Sequence, residues 1–197
     1  VFRNHIRYVR VSDIERVKEA FAVGKKAHDG QKRASGEPYF THPIAVAHML
    51  ADVDADADTI IAALLHDTVE DTDLTFADIE QQFGKEVAAI INGLTKFRSG
   101  DFGNRPTMDE KIETLRKIFT LMQEDVRIIV IKLYDRLHNM QTIEYFPNHK
   151  QHIYAQETTD VFVKLAERLS MMALRNELEG LCLSVLNPNL LQELTQL

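Results

Sequence analysis

The stretch Ala62-Ala-Leu-Leu-His-Asp-Thr-Val-Glu-Asp71 constrains the chain most. It continues a run, Ile60 to Leu65, that is too apolar for a helix lying on a surface. Yet it carries His66 and Asp67 side by side, then Glu70 and Asp71. Read as one continuous helix, residues four apart share a face, so His66 lies over Glu70 and Asp67 over Asp71. Four ionisable groups at the end of an apolar helix are costly to bury unless something compensates them. A divalent metal would compensate them; a solvated helix C-terminus is the alternative.

The rest of the chain reads as helix after helix. Ser12-Asp-Ile-Glu15 has the pattern of a capping box and opens a helix with Ile14, Val17, Phe21 and Ala27 facing inward, ending near Asp29-Gly30. Residues 31 to 40 form a loop rich in Lys, Arg, Ser, Gly and Pro. Thr41 can cap the next helix, with Pro43 in its first turn and Ile44, Ala47, Leu50 and Val53 turned inward. The Asp-rich residues 52 to 58 form a turn that caps the central helix. Thr75-Phe-Ala-Asp78 starts another helix that closes at Phe83-Gly84, and 85 to 97 continue as an amphipathic one. Arg98 to Pro106 is a loop, either a mobile flap or a plain connector. Thr107-Met-Asp-Glu110 opens the next helix, and Asp125 caps the one after, Val126 to about Thr142. The run Val126 to Leu133 also suits a buried strand, but its pattern continues through Leu137 and Met140, which favours helix. Residues 148 to 186 read as two helices broken near Ser170, and Pro188 sets off a short tail. Nothing alternates with period two for long. The expectation is an all-α bundle, one domain over 1 to 197 with its core at about 12 to 180 and an appendage at 188 to 197.

A net charge of −7 argues against nucleic acid as a partner, so an anionic small substrate would need a local cluster of Lys and Arg. The one cysteine, Cys182, excludes an internal disulfide and fits a reducing compartment. Between Leu181 and Leu183 it reads as a small buried hydrophobe rather than a nucleophile. No apolar run approaches the roughly 20 residues a membrane helix needs, and no signal peptide is visible. A cytoplasmic location, with neither membrane nor nucleic acid as partner, is expected. The chain begins at Val1, which leaves a trimmed or internal fragment open.

Four residues form a possible metal site: His42, His66, Asp67 and Asp135. Two imidazoles with two carboxylates suit Mn²⁺, Fe²⁺ or Zn²⁺, and an octahedral ion so held keeps two positions for water and substrate. His5, His28, His48, His149 and His152 have no comparable context and read as surface or core histidines. His138, one turn from Asp135, either supports that residue or packs. Asp135, Asn139 and Thr142, at i, i+4 and i+7, line one stripe of an otherwise apolar helix, which suggests a site rather than a core face.

Beyond these local readings, the chain resembles the hydrolase domain of the RelA/SpoT homologue family, a branch of the HD superfamily. The matching stretches are Gln31-Lys-Arg-Ala-Ser-Gly-Glu-Pro-Tyr39, Thr41-His-Pro43, Leu65-His-Asp-Thr-Val-Glu-Asp-Thr72, Thr95-Lys96, Ile131-Lys132, Asp135-Arg-Leu-His-Asn-Met140 and Glu157-Thr158. The resemblance implies an HD-type helical bundle with a metal site between helices. It implies a Mn²⁺-dependent (p)ppGpp 3′-pyrophosphohydrolase that releases pyrophosphate and GDP or GTP. It places the metal on His42, His66, Asp67 and Asp135, and gives Glu70 and Asp71 the attacking water. It sets Lys32 and Arg33 against the purine and phosphates. Ser35, Lys96, Asn139, Thr142 and Arg168 complete the nucleotide pocket, and Lys25 either adds charge for the 5′-phosphates or is a solvated helix lysine. No synthetase domain follows, so the chain looks like a stand-alone small alarmone hydrolase or a hydrolase domain cut from a longer protein.

Several positions depart from the family pattern. Ala34 stands where a Lys is usual, Gln141 where an Arg is usual, and Tyr134 replaces a small residue. Lys164 and Ser170 replace the Pro and Gly of a later motif. Two lost cations leave adenine alarmones such as (p)ppApp open as substrates. Two other readings stand beside this one: a phosphatase acting on NADPH, and a non-catalytic alarmone-binding regulatory domain.

Overall fold

The computed structural model describes residues 11–96 and 108–195, and the expected flap at 98 to 106 lies outside them, as does His5. The elements are α1 (Val11–Ala27), α2 (Thr41–Asp52), α3 (Ala57–Leu65), α4 (Thr68–Asp71), α5 (Phe76–Phe83), α6 (Lys85–Lys96), α7 (Met108–Glu124), α8 (Val126–Gln141), α9 (Asn148–Glu157), α10 (Lys164–Arg168), α11 (Met172–Leu186) and α12 (Pro188–Thr195). A 3-10 turn, Ile143–Tyr145, precedes α9, and a π-helical segment, Thr158–Val163, joins α9 to α10. Among the described residues, strand pairing is confined to one bridge between Lys32 and Pro38. The fold is all-α, as expected.

The chain divides into two compact units: Val1–Asp101 with Arg116–Tyr134, and Phe102–Leu115 with Asp135–Leu197. In the first, α3 packs on α1, α2 and α6, and every residue of α3 except Asp58 is buried. Its Ile60, Ile61, Leu64 and Leu65 join Leu50, Ile79, Phe83, Ile90, Ile91 and Leu94 in the core. Each such side chain stabilises the unit by roughly 1.5–3 kcal/mol when fully buried. Gly24 allows α1 to approach: a Cβ there would meet the Phe40 ring at 2.5 Å and the Leu64 carbonyl oxygen at 3.0 Å. In the second unit α11 packs against α9 and the π-segment, around Ala155, Phe162, Leu174, Leu178 and Cys182. Cys182 is buried, and burial pushes its thiol up, so it packs as a small apolar group.

Local helix signals are met where a polar side chain precedes the helix. Asp56 accepts from Thr59 N at 2.7 Å and caps α3. Thr75 and Asp78 close a reciprocal capping box on α5, which ends at Gly84, in the left-handed region at φ 96. Asp125 accepts from Arg127 N at 2.9 Å at the start of α8. Three expectations fail. Ser12 lies inside α1, not ahead of it. Thr41 does not cap α2, because its hydroxyl donates to the Pro38 carbonyl at 2.8 Å, back into the loop. Val53 is 52% exposed, because α2 ends at Asp52 and the chain turns outward. Past Pro188 the tail forms α12.

Candidate metal centre

The central stretch is not one continuous helix. α3 stops at Leu65 and α4 begins at Thr68. Asp67, at φ −94 and ψ −8, sits in the sparsely allowed bridge region that active-site residues often occupy. The break releases helix carbonyls, and side chains take them up. Thr68 Oγ1 donates to Leu65 O at 2.7 Å, and His66 Nδ1 lies 2.8 Å from Ala63 O.

That last contact fixes the histidine. A carbonyl only accepts, so Nδ1 carries a proton and Nε2 points the other way. Nε2 is buried with no hydrogen bond, yet lies 3.1 Å from Asp67 Oδ1. The pair would be an ion pair only with a doubly protonated ring. In the neutral form two acceptors face each other. That separation is about what two ligand atoms have when each is ~2.1 Å from one ion. His42, 3% exposed, completes the group: its ring centroid is 5.3 Å from that of His66. The ligand atoms of His42, His66 and Asp67 all lie within 4.8 Å of one another. The donor chemistry therefore fits a divalent cation.

Tyr39 supports this group, a role the sequence did not reveal. Its hydroxyl donates to Asp67 Oδ2 at 2.8 Å. Burial above all, then the Asp67 carboxylate and after it that of Asp71, push the Tyr39 hydroxyl far up, so it stays a donor. Glu70 and Asp71 follow on α4 with exposed side chains. The backbone carbonyl of Asp71 accepts from Gln31 Nε2 at 2.8 Å.

Residues 31 to 39 form a tight hairpin rather than an open loop. Tyr39 N donates to Gln31 O, Arg33 N to Glu37 O and Gly36 N to Arg33 O, each at 2.9 Å. Gly36, at φ 87, supplies the left-handed residue this turn needs. Arg33 and Ser35 are half-buried near its tip. Lys25 and Lys32 are exposed and border a cavity of about 410 Å³, together with Phe21, His28, Phe40 and Ile44. His42, His66 and Asp67 are not among the residues that line it. Lys96 is exposed at the end of α6.

The remaining expected residues belong to the second unit. Asp135 is 8% exposed and accepts from Asn139 Nδ2 at 2.8 Å, so two members of the polar stripe on α8 pair with each other. Thr142 Oγ1 donates to His138 O at 3.0 Å, at the helix end, and keeps its lone pairs for accepting. Arg168 is exposed at the end of α10.

An all-α scaffold that presents a His-Asp pair beside another histidine defines a class. The family model described as HD domain matches residues 20–172, and the chain belongs to the HD-domain family. Within that family it is similar to the bifunctional (p)ppGpp synthase/hydrolase SpoT of Escherichia coli K12, 43% identical over 182 residues, which are 92% of this chain and 26% of that protein. It is also similar to a GTP pyrophosphokinase of Streptomyces coelicolor, 40% identical over 197 residues, 100% of this chain and 23% of that protein. The chain thus spans about a quarter of the length of these relatives. A solved structure of a metazoan ortholog of SpoT that hydrolyzes ppGpp covers 96% of both chains, with 24% identity and a TM-score of 0.60, and shares the fold. Among the described residues no helix is long and apolar enough to cross a membrane.

Proposed function

We propose that this chain is a Mn²⁺-dependent alarmone hydrolase that removes the 3′-pyrophosphate of (p)ppGpp. The observation that carries the reading is the bare Nε2 of His66 facing Asp67 Oδ1 at 3.1 Å beside His42. Similarity to SpoT supplies the substrate class. In this reading His42, His66 and Asp67 hold the ion, and the family resemblance adds Asp135 as a fourth donor. A bound divalent ion lowers the pKa of its water and offsets charge that develops on phosphoryl oxygens.

This chain's own groups do the rest. Glu70 and Asp71, exposed on the turn after Asp67, accept the proton of the attacking water. Water adds to the phosphorus borne on the 3′-oxygen, and the bond from that phosphorus to the 3′-oxygen breaks. Pyrophosphate leaves, and the 3′-oxygen is protonated to give GDP or GTP. Arg33 and Ser35 on the hairpin contact the nucleotide, and the family resemblance adds Asn139 and Thr142. Lys25, Lys32, Lys96 and Arg168 supply its charge complement. Because Ala34 and Gln141 replace two cations, (p)ppApp joins the substrate range in this reading.

The test incubates purified protein with ppGpp, ppApp and NADPH, with and without Mn²⁺, and follows pyrophosphate and orthophosphate. Pyrophosphate from an alarmone, only with metal and not from Asp67→Ala, is expected. Release of phosphate from NADPH alone, or alarmone bound but unchanged, overturns the reading.

A further inference from the structure

The hairpin and the broken helix are joined at two points. Gln31 and Tyr39 are the paired feet of the hairpin, since Tyr39 N donates to Gln31 O at 2.9 Å. Both feet reach the segment that carries His66 to Asp71. Tyr39 crosses 28 positions of sequence to Asp67 Oδ2, and Gln31 crosses 40 to the Asp71 carbonyl.

The orientation of each group follows from its neighbours. The Asp71 carbonyl can only accept, so the Gln31 amide turns its NH₂ toward it and its Oε1 away. That oxygen lies 2.8 Å from His28 Nδ1, which must therefore carry the proton. The His28 ring, 3% exposed, stacks on Tyr39 with centroids 4.8 Å apart and planes 27° from parallel. One buried imidazole thus steadies both feet, one by a hydrogen bond and one by its face. Asp67 in turn has two oxygens with different neighbours. Oδ2 accepts the hydrogen bond from Tyr39, which leaves Oδ1 facing His66 Nε2.

We propose that Tyr39 and Gln31 are positioning residues of the metal centre: Tyr39 fixes the Asp67 carboxylate so that Oδ1 meets the ion, and Gln31 holds the backbone of Asp71. The proposal rests on the metal reading above. It also ties Arg33 and Ser35, which lie between the two feet, to the same frame as the metal ligands. Groups that orient a metal ligand typically carry ten- to a hundredfold in metal affinity or activity when removed.

The experiment titrates Mn²⁺ calorimetrically into the wild type, Tyr39→Phe and Gln31→Glu, with kcat and KM for ppGpp measured alongside. Tyr39→Phe keeps the ring and its stacking but frees Oδ2; Mn²⁺ affinity should fall about 10–100-fold. Gln31→Glu still accepts from His28 but sets a carboxylate oxygen against the Asp71 carbonyl. It should keep wild-type metal affinity and lose on the order of tenfold in kcat. Metal-free variants should unfold within a few degrees of the wild type. Unchanged metal affinity in Tyr39→Phe overturns the proposal, and so does weak binding that merely follows loss of the folded state. A wild type that binds no divalent cation removes the function and this proposal together; wild-type binding matched by Tyr39→Phe removes this proposal alone.

Discussion

Two buried charged clusters in this protein are built by opposite rules. In the second unit Arg136, 1% exposed, lies between the rings of Tyr154 and Phe162, its guanidinium carbon 3.8 and 4.0 Å from their centroids. Its Nη1 donates to Glu157 Oε2 at 3.0 Å and to Thr158 Oγ1 at 3.3 Å. Nη2 and Glu157 Oε1 make no hydrogen bond, but the two charges are opposite and in contact. In the first unit His66 and Asp67 set two acceptors face to face when the ring carries only its Nδ1 proton. The first cluster is balanced in charge and ties α8 to α9 and the π-segment. A cation, or a second proton on the ring, would complete the second. Burial alone does not separate the two clusters; charge balance does.

The strongest way to break this comparison is Asp67→Asn. The amide keeps an acceptor for Tyr39 and gains a donor for His66 Nε2, so the metal-free protein should unfold at a urea concentration no lower than the wild type. Metal binding and turnover should both fall sharply, because the neutral amide oxygen gives up the carboxylate's charge attraction for the cation. A variant that still binds Mn²⁺ and turns over ppGpp would refute the ligand assignment. The complementary change, Arg136→Met, should do the reverse. Breaking a buried pair from one side leaves Glu157 uncompensated and destabilises by about 3–5 kcal/mol. Adding Glu157→Leu should return most of that loss. Urea unfolding measures both, and a harmless Arg136→Met would show that the pair does not hold the fold.

The two clusters were also unequally legible in the sequence. The apolar run before His66-Asp67 announced a buried helix, though of the four ionisable groups at its end only His66 is buried, and the caps at Asp56, Thr75 and Asp125 could be read because each lies within three residues of the donor it satisfies. The break at Leu65 could not be read, because Asp67 leaves the helix while staying near right-handed backbone values. Nor could the bond from Tyr39 to Asp67, which depends on two segments meeting in space. Arg136 and Glu157-Thr158 were visible as motif residues, but no period predicts that the π-helical segment places Phe162 over the guanidinium. His28 was read as a histidine without context, and its context is the hairpin folded against it.

Smaller effects sharpen the comparison by asking how much strain and pairing matter away from the site. Ser170 has φ 58, a left-handed conformation, where the family pattern has Gly. An L-residue there costs roughly 1–2 kcal/mol relative to what glycine would. Ser170→Gly should therefore stabilise the second unit by about 1 kcal/mol in urea unfolding and leave turnover unchanged. If it proves neutral, the strain is relieved by local contacts.

The smallest expected effect concerns an ion pair more exposed than that of Arg136 with Glu157. Asp125 accepts from Arg127 Nε and Nη2 at 3.0 and 2.7 Å. The Arg127 guanidinium holds the Asp125 carboxyl below the usual carboxylate range, against a smaller upward push from burial. A carboxyl whose folded pKa is depressed adds stability above its unfolded value, near pH 4, and loses it as pH falls through the lowered folded value. Asp125→Asn should keep the cap on Arg127 N but flatten this part of the acid limb. Because the pair is partly solvated, its contribution near neutral pH should stay below about 1 kcal/mol and shrink further in high salt. Stability measured from pH 6 to pH 2 in the two proteins checks it, and parallel curves would show that Asp125 carries no pH-linked stability.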